Sequence, residues 1–419
     1  MQILPSSIRS IGAGLRPRLA CEVRPHRIIA ASSNDASGVI AAISSADLPP
    51  GALVPSLRAG NIADRGIFIS ALQRALDPLA GRSKDITLVV PDSAVRVLLL
   101  DFDTLPSRPA EALPVVRFRL KKLLPFEADD AGVSYQIMSQ DRNLLRVVAA
   151  AMPREVLDEY ELAVRDAGYE PGAILPSTLA SLTLLSPATT ATSAALIVNA
   201  NSYAVTTAIV RGSVILLHRT LDFTAEVPSL AEVREETAPA LPAAPPAVPI
   251  FATNLNEAPP VVTAYVEPAP TWDLAHEPGV EEESTPYPGE SFGGSPVAAE
   301  AAMQTEVLRQ EEAEIAVESF AASMEEAAVE ADVAQAISVA AAYFEDTLNS
   351  MPSQILSAGM LDAQSLEQVL AHDGFDELMP NVREIVPAAL LAADAASSSV
   401  PRSLLAGVAG ALATGDTQS

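Results

Sequence analysis

The stretch from Val90 to Tyr135, VPDSAVRVLLLDFDTLPSRPAEALPVVRFRLKKLLPFEADDAGVSY, leaves this chain few choices of fold. Ile86–Val90 just before it and Val95–Leu100 within it are short and rich in branched apolar residues. Pro91-Asp92-Ser93 between them is turn chemistry, so the two read as a buried strand pair. An amphipathic helix follows, with Leu113, Val116, Leu120, Leu123 and Leu124 three and four apart on one face. Ser107 can cap it, Pro109 suits a first turn, and Glu111 favours the positive end of the dipole. Pro114 is out of place if the helix starts at Pro109, which moves the expected first turn later. Arg117, Arg119, Lys121 and Lys122 crowd the last turns, where cations are favoured, and Pro125 stops the helix. Buried strands alternating with helices predict an α/β chain.

The pattern continues downstream. Leu145 to Met152 reads as a strand, Pro153 starts a helix, and Ala167-Gly168 ends it. Gly172 to Leu185 reads as a connecting helix. Upstream, Arg18 to Ser32 is an opening strand pair and Ile67 to Ala80 a helix. Ala195–Val198, Ala204–Val210 and Ser213–Thr220 are three further strands. Val333–Asn349 is an amphipathic helix, Ser353–Gly359 a strand, Ala363–Ala371 a helix, Val382–Ile385 a strand and Val400–Ala413 a closing helix of small residues.

PDSAVRVLLLDFDTLP followed by RFRLKKLLPFE resembles the PilM family, the actin-like cytoplasmic component of type IV pilus assembly machines. The resemblance runs from about Arg18 to Phe223 and more weakly over Val333 to Ala413. It implies an actin-like, ribonuclease H-like fold of two lobes. It also implies two phosphate loops of Asp-x-Gly type and a glycine turn near the adenosine. The matching positions here are Glu22, Val23 and Arg24; then Asn199 and Asn201; then Gly359 alone. A side chain at position 24 and Pro25 behind it oppose close backbone approach to a phosphate. Without the aspartates, magnesium loses its carboxylates. These positions are therefore expected to be vestigial, with neither ATP nor magnesium bound and no hydrolysis.

The resemblance further implies a groove that takes the extended N-terminal peptide of a PilN-like membrane protein. Arg117, Arg119, Lys121, Lys122, Leu124 and Phe126 are the candidates for lining or supporting it. The cations equally suit plain helix termination. The expected role is a scaffold linking that partner to the pilus motor ATPase or platform protein, peripheral to the inner membrane through proteins. A homo-oligomer stays open. The alternatives are a working actin-like ATPase that uses Glu22, the cytoplasmic domain of a GspL-like secretion protein, and a filament former.

Charge divides the chain. The formal net charge is −27, but 22 acidic and two basic residues fall between Glu226 and Val333, leaving 31 and 24 elsewhere. That stretch is dense in Pro and Ala and cannot bury enough apolar surface to offset its chain entropy. It is expected to be a disordered insertion over 226–332, with Ala/Glu-rich helical spacing at about 298–331. Tyr265, Trp272, Tyr287 and Phe292 are scattered along it. The expected organisation is a tail over 1–17 and a first lobe over 18–185 with an inserted subdomain at about 109–172. The second lobe follows in two parts, 186–225 and 333–414, and a tail over 415–419. The acidic balance argues against nucleic acid. Cys21 is the only cysteine, which excludes an intramolecular disulfide. His26, His218, His276 and His372 share no metal-like spacing, and no apolar run is long enough to span a bilayer.

Overall fold

The computed structural model describes residues 17–35, 37–186, 190–223, 329–372 and 381–413. Most of the acidic stretch, including its four aromatics, lies outside them. Among the described residues no helix is long and apolar enough to cross a membrane.

The first lobe opens with β1 (Leu19–Arg24), β2 (Arg27–Ser33) and β3 (Ile40–Asp47). Then come α1 (Arg65–Leu76) and β4 (Asp85–Val90). β5 (Arg96–Phe102), α2 (Pro109–Leu120), β6 (Ala131–Asp141), β7 (Leu144–Pro153) and α3 (Arg154–Asp166) precede β8 (Glu170–Pro176). The short α4 (Ser177–Ser181) leads to β9 (Ala195–Ala200), β10 (Ala204–Arg211) and β11 (Val214–Asp222). After the acidic stretch come a helix over 329–343 (α5), β12 (Gln354–Gly359), α6 (Ala363–His372) and β13 (Val382–Glu384). α7 (Ala393–Ala396) and α8 (Ala406–Leu412) close the chain.

The two large sheets repeat one plan. Their strand orders are β3-β2-β1-β4-β8 and β11-β10-β9-β12-β13. In each, the central strand pairs antiparallel with the next strand of its hairpin and parallel with the strand beyond a helix. Cys21 faces Ala30 and Leu88, and Val198 faces Thr207 and Ser357. Every residue of β1 and β9 is buried, as expected for strands covered on both faces. A duplicated sheet of this order is the two-lobed actin-like, ribonuclease H-like architecture that the resemblance implies.

Three readings are corrected. β4 and β5 are not a pair. A 3-10 turn over Asp92–Ala94 lifts the chain out of the first sheet, and β5 joins β7 and β6 in a separate three-stranded sheet. The segment at Gly172 is strand β8 before it is helix, because the short apolar run Ala173–Leu175 has no period that separates the two. α2 does start at Pro109, with Arg108 at its cap and no side-chain capping bond, so Ser107 is not the cap. Its buried stripe is Ala112, Val116 and Leu120, and Pro114 sits exposed inside it. Lys121 caps the helix, and Lys122, Leu123 and Leu124 lie beyond it.

The sequence groups 333–414 with the second lobe, yet α8 packs against α4, β1 and β2 of the first. Gly410 allows this. A Cβ there would strike the carbonyl of Ala180, so only glycine lets the two helices approach so closely.

Candidate functional site

The two hairpin turns of the lobes meet at their tips. The turn after β1 carries Pro25 and His26, and the turn after β9 carries Asn201, Ser202 and Tyr203. The His26 and Tyr203 rings stack with centroids 6.4 Å apart and planes at 29°. Behind this contact lies a buried polar cluster drawn from both lobes.

On β1, alternation puts Glu22 and Arg24 on one face. Both are buried, at 1% and 7% exposure. The Arg24 guanidinium donates to Glu22 Oε1 at 3.2 Å, to the Ala200 carbonyl at 3.3 Å and to the Leu404 carbonyl at 3.5 Å. Ser177 donates its hydroxyl to the same Glu22 oxygen at 2.8 Å. The other oxygen, Oε2, has no hydrogen-bond partner. The Gly407 backbone faces it without closing a bond of good geometry, and a Cβ at Gly407 would collide with it.

Asp92 is the second buried carboxylate. It accepts from the Thr178 amide at 3.1 Å and the Thr178 hydroxyl at 2.5 Å. Asn199 reaches across from the second lobe. Its Nδ2 donates to Thr178 Oγ1 at 2.9 Å, Ser177 Oγ at 3.0 Å and Asp92 Oδ2 at 3.4 Å. Burial pushes both carboxyls above their ordinary values. For Glu22 the neighbouring Arg24 and the Ser177 hydroxyl oppose the rise, and for Asp92 the Thr178 hydroxyl and amide do.

The structure thus brings Glu22, Arg24, Asn199 and Gly359 to one place. Gly359 ends β12 at φ +85°, where a Cβ would meet the Ala200 carbonyl and lie 2.7 Å from Asn199 Oδ1. Asn201 stays at the rim. Its Oδ1 accepts from the Tyr203 and Ala204 amides, which shapes the turn. The sequence did not mark Asp92, Ser177 or Thr178. Asp92 reads as an ordinary turn residue, and Ser177-Thr178 as the interior of an apolar helix. The available signal was a carboxylate in a turn flanked by two buried strands. Among the described residues no three His, Cys, Asp or Glu side chains form a metal-binding group.

The α2 residues form a separate region. Arg117 is tied inward, donating to the carbonyls of Ala128 and Ala131. Lys121 pairs with Asp129. Leu124 and Phe126 pack partly buried against the core formed by Val116, Leu120 and the β7 residues Val147, Ala149 and Ala151. Arg119 and Lys122 are exposed. Beside them stand Phe118, Leu123 and Val115, exposed at 68%, 50% and 39%.

No family model matches the chain, and no curated protein does. Among solved structures it is similar to a chain of a "PilM-PilN type IV pilus biogenesis complex". The TM-score is 0.59 and the identity 15%, covering 94% of this chain and 98% of that one. More distant likenesses are the cytoplasmic domain of EpsL, an inner-membrane component of the type II secretion system of Vibrio cholerae, and the ethanolamine utilization protein EutJ from Carboxydothermus hydrogenoformans. Their TM-scores are 0.33 and 0.38 at 10% and 8% identity. They cover 49% and 94% of this chain, and 70% and 89% of theirs. The two repeated sheets and the near-complete overlap with the first of these structures give this chain the PilM-like, actin-like fold.

Proposed function

We infer that the protein is a non-catalytic scaffold of the type IV pilus assembly machinery, docking the N-terminal peptide of a PilN-like membrane protein. The observation that carries this reading is the conjunction of a PilM-like fold over nearly the whole chain with a cleft filled by its own side chains. A magnesium–phosphate group does not fit the residues present. Arg24 takes the space between the two turns, and Asn199 spends its amide on Ser177 and Thr178. One buried carboxylate is already paired with Arg24 and the other already accepts from Thr178.

A connector needs a partner surface more than a cofactor. The end of α2 offers one: an exposed Phe118 and Leu123 beside exposed Arg119 and Lys122. Apolar anchors set in a cationic rim suit an extended peptide with apolar and acidic residues. The place in the cell that follows is the cytoplasmic face of the inner membrane, reached through the partner.

A synthetic peptide of a PilN-like N-terminus is expected to bind the full chain with a Kd of about 1–100 μM by calorimetry. Phe118→Ser and Lys122→Glu should each weaken it about tenfold while leaving the melting temperature unchanged, since both side chains are exposed. No binding to wild type would remove the pilus reading. Millimolar Mg-ATP is expected to shift the melting temperature by less than about 1 °C, and a clear rise would restore the ATPase reading.

A further inference from the structure

We propose that Arg24 is a built-in cation that latches the two lobes together, so that the cleft is held closed with nothing bound in it. The inference rests on the interlobe geometry and not on the identity of any partner. Three oxygens converge on the Arg24 guanidinium: a Glu22 carboxylate oxygen and the backbone carbonyls of Ala200 and Leu404. Carboxylate and carbonyl oxygens from separate segments are the donor set that a hard cation takes. Here a covalently attached cation fills it. A planar group with five donors can serve all three acceptors at once, which an ammonium of compact geometry does less well.

The three acceptors also belong to three parts of the fold. Glu22 is on β1, Ala200 ends β9 of the other lobe, and Leu404 lies in the 3-10 turn Arg402–Leu405 that leads into α8. One side chain therefore ties the first sheet to the second sheet and to the closing helix. The latch has two further points, both crossing between the lobes. Asn199 donates to Ser177 and Thr178, and His26 stacks on Tyr203. All are supplied by the chain itself, so closure costs no ligand-binding entropy.

The consequence is that lobe closure in this protein is constitutive. A partner that docks on the first lobe meets a rigid body whose shape does not depend on nucleotide.

The test uses the full chain carrying spin labels at Arg82→Cys and Gln368→Cys, exposed positions on the first lobe and on α6; the native Cys21 is buried. Wild type is expected to give one narrow interlobe distance, unchanged by Mg-ATP. Arg24→Met keeps the length and bulk of the side chain but not its charge, and is expected to broaden the distribution at least twofold. Arg24→Lys should fall between the two. In Arg24→Gly, ethylguanidinium or magnesium chloride at millimolar concentration should narrow the distribution again and raise the melting temperature by about 3 °C, with no effect on wild type. If Arg24→Gly does not fold, the Met and Lys variants decide. A narrow distance in Arg24→Met identical to wild type would overturn the latch, as would a wild-type distance that is already broad. Loss of peptide binding in wild type would instead remove only the pilus reading.

Discussion

Replacing Gly359 with alanine is expected to cost about 2–5 kcal/mol, a large share of the roughly 5–15 kcal/mol that holds a typical protein folded. Two effects add. The backbone sits at φ +85°, which a residue with a Cβ pays to adopt, by about 1–2 kcal/mol. The new methyl would also collide with the Ala200 carbonyl and crowd Asn199 Oδ1 at 2.7 Å, and neither can retreat cheaply. Overpacking of that kind adds about 1–3 kcal/mol. The Ala200 carbonyl is also an acceptor for Arg24 and for the Met360 amide, so a shift there reaches across the cleft. Gly212 supplies the internal control. It sits at φ +61° in the β10–β11 turn with nothing within 4 Å of an added Cβ, so Gly212→Ala should show strain alone, about 1 kcal/mol. Denaturant unfolding of both variants separates the terms. Equal losses at the two sites would mean that the close approach of β12 to β9 is not the constraint it is taken to be.

The central strands of both large sheets were readable from short, mostly apolar runs, LACEVR in one lobe and ALIVNA in the other, even though Glu22, Arg24 and Asn199 interrupt them. β3 was not, since IAAISSAD is built of small residues with little strand preference. The assignment of β4 and β5 to different sheets was not readable either. Both are apolar and adjacent, and the three-residue turn at Asp92–Ala94 redirects the chain without any Gly or Asn to mark it. The positions of the cleft were found by resemblance, but their partners were hidden by distance. Arg24 meets Leu404 across 380 residues, and Glu22 meets Ser177 across 155. No local pattern encodes such pairs. Arg24 looked like a mere obstacle to phosphate in the sequence, whereas its acceptors show it as a contact in its own right.

Asp92→Asn is expected to lower stability by about 2–4 kcal/mol near pH 4, and by distinctly less near pH 8. The carboxylate accepts from the Thr178 amide, the Thr178 hydroxyl and Asn199. Where the carboxyl holds its proton it carries a single O–H; an amide in its place carries two N–H donors, turns one more toward these donors and leaves a buried group unmatched, which accounts for the loss. The pH dependence follows from the direction of the titration. Burial raises the Asp92 carboxyl above 3.8 despite the Thr178 bonds, so the folded state holds its proton more tightly than the unfolded chain does. That contribution to stability is complete below about 3.8 and is lost as pH rises through the raised value. Asparagine has no proton to lose, so the gap between wild type and variant narrows toward alkaline pH. Glu22 is raised mainly by its own burial in both proteins, but the Asp92 charge adds to that rise; the variant lacks this repulsion, which narrows the gap further toward alkaline pH. Melting temperatures of the pair from pH 4 to pH 8 give the answer. A gap that widens with pH would mean that the donors around Asp92 outweigh its burial and hold it ionised. The cleft would then keep an unneutralised carboxylate available to a cation, and the case for a self-filled site would fail at its centre.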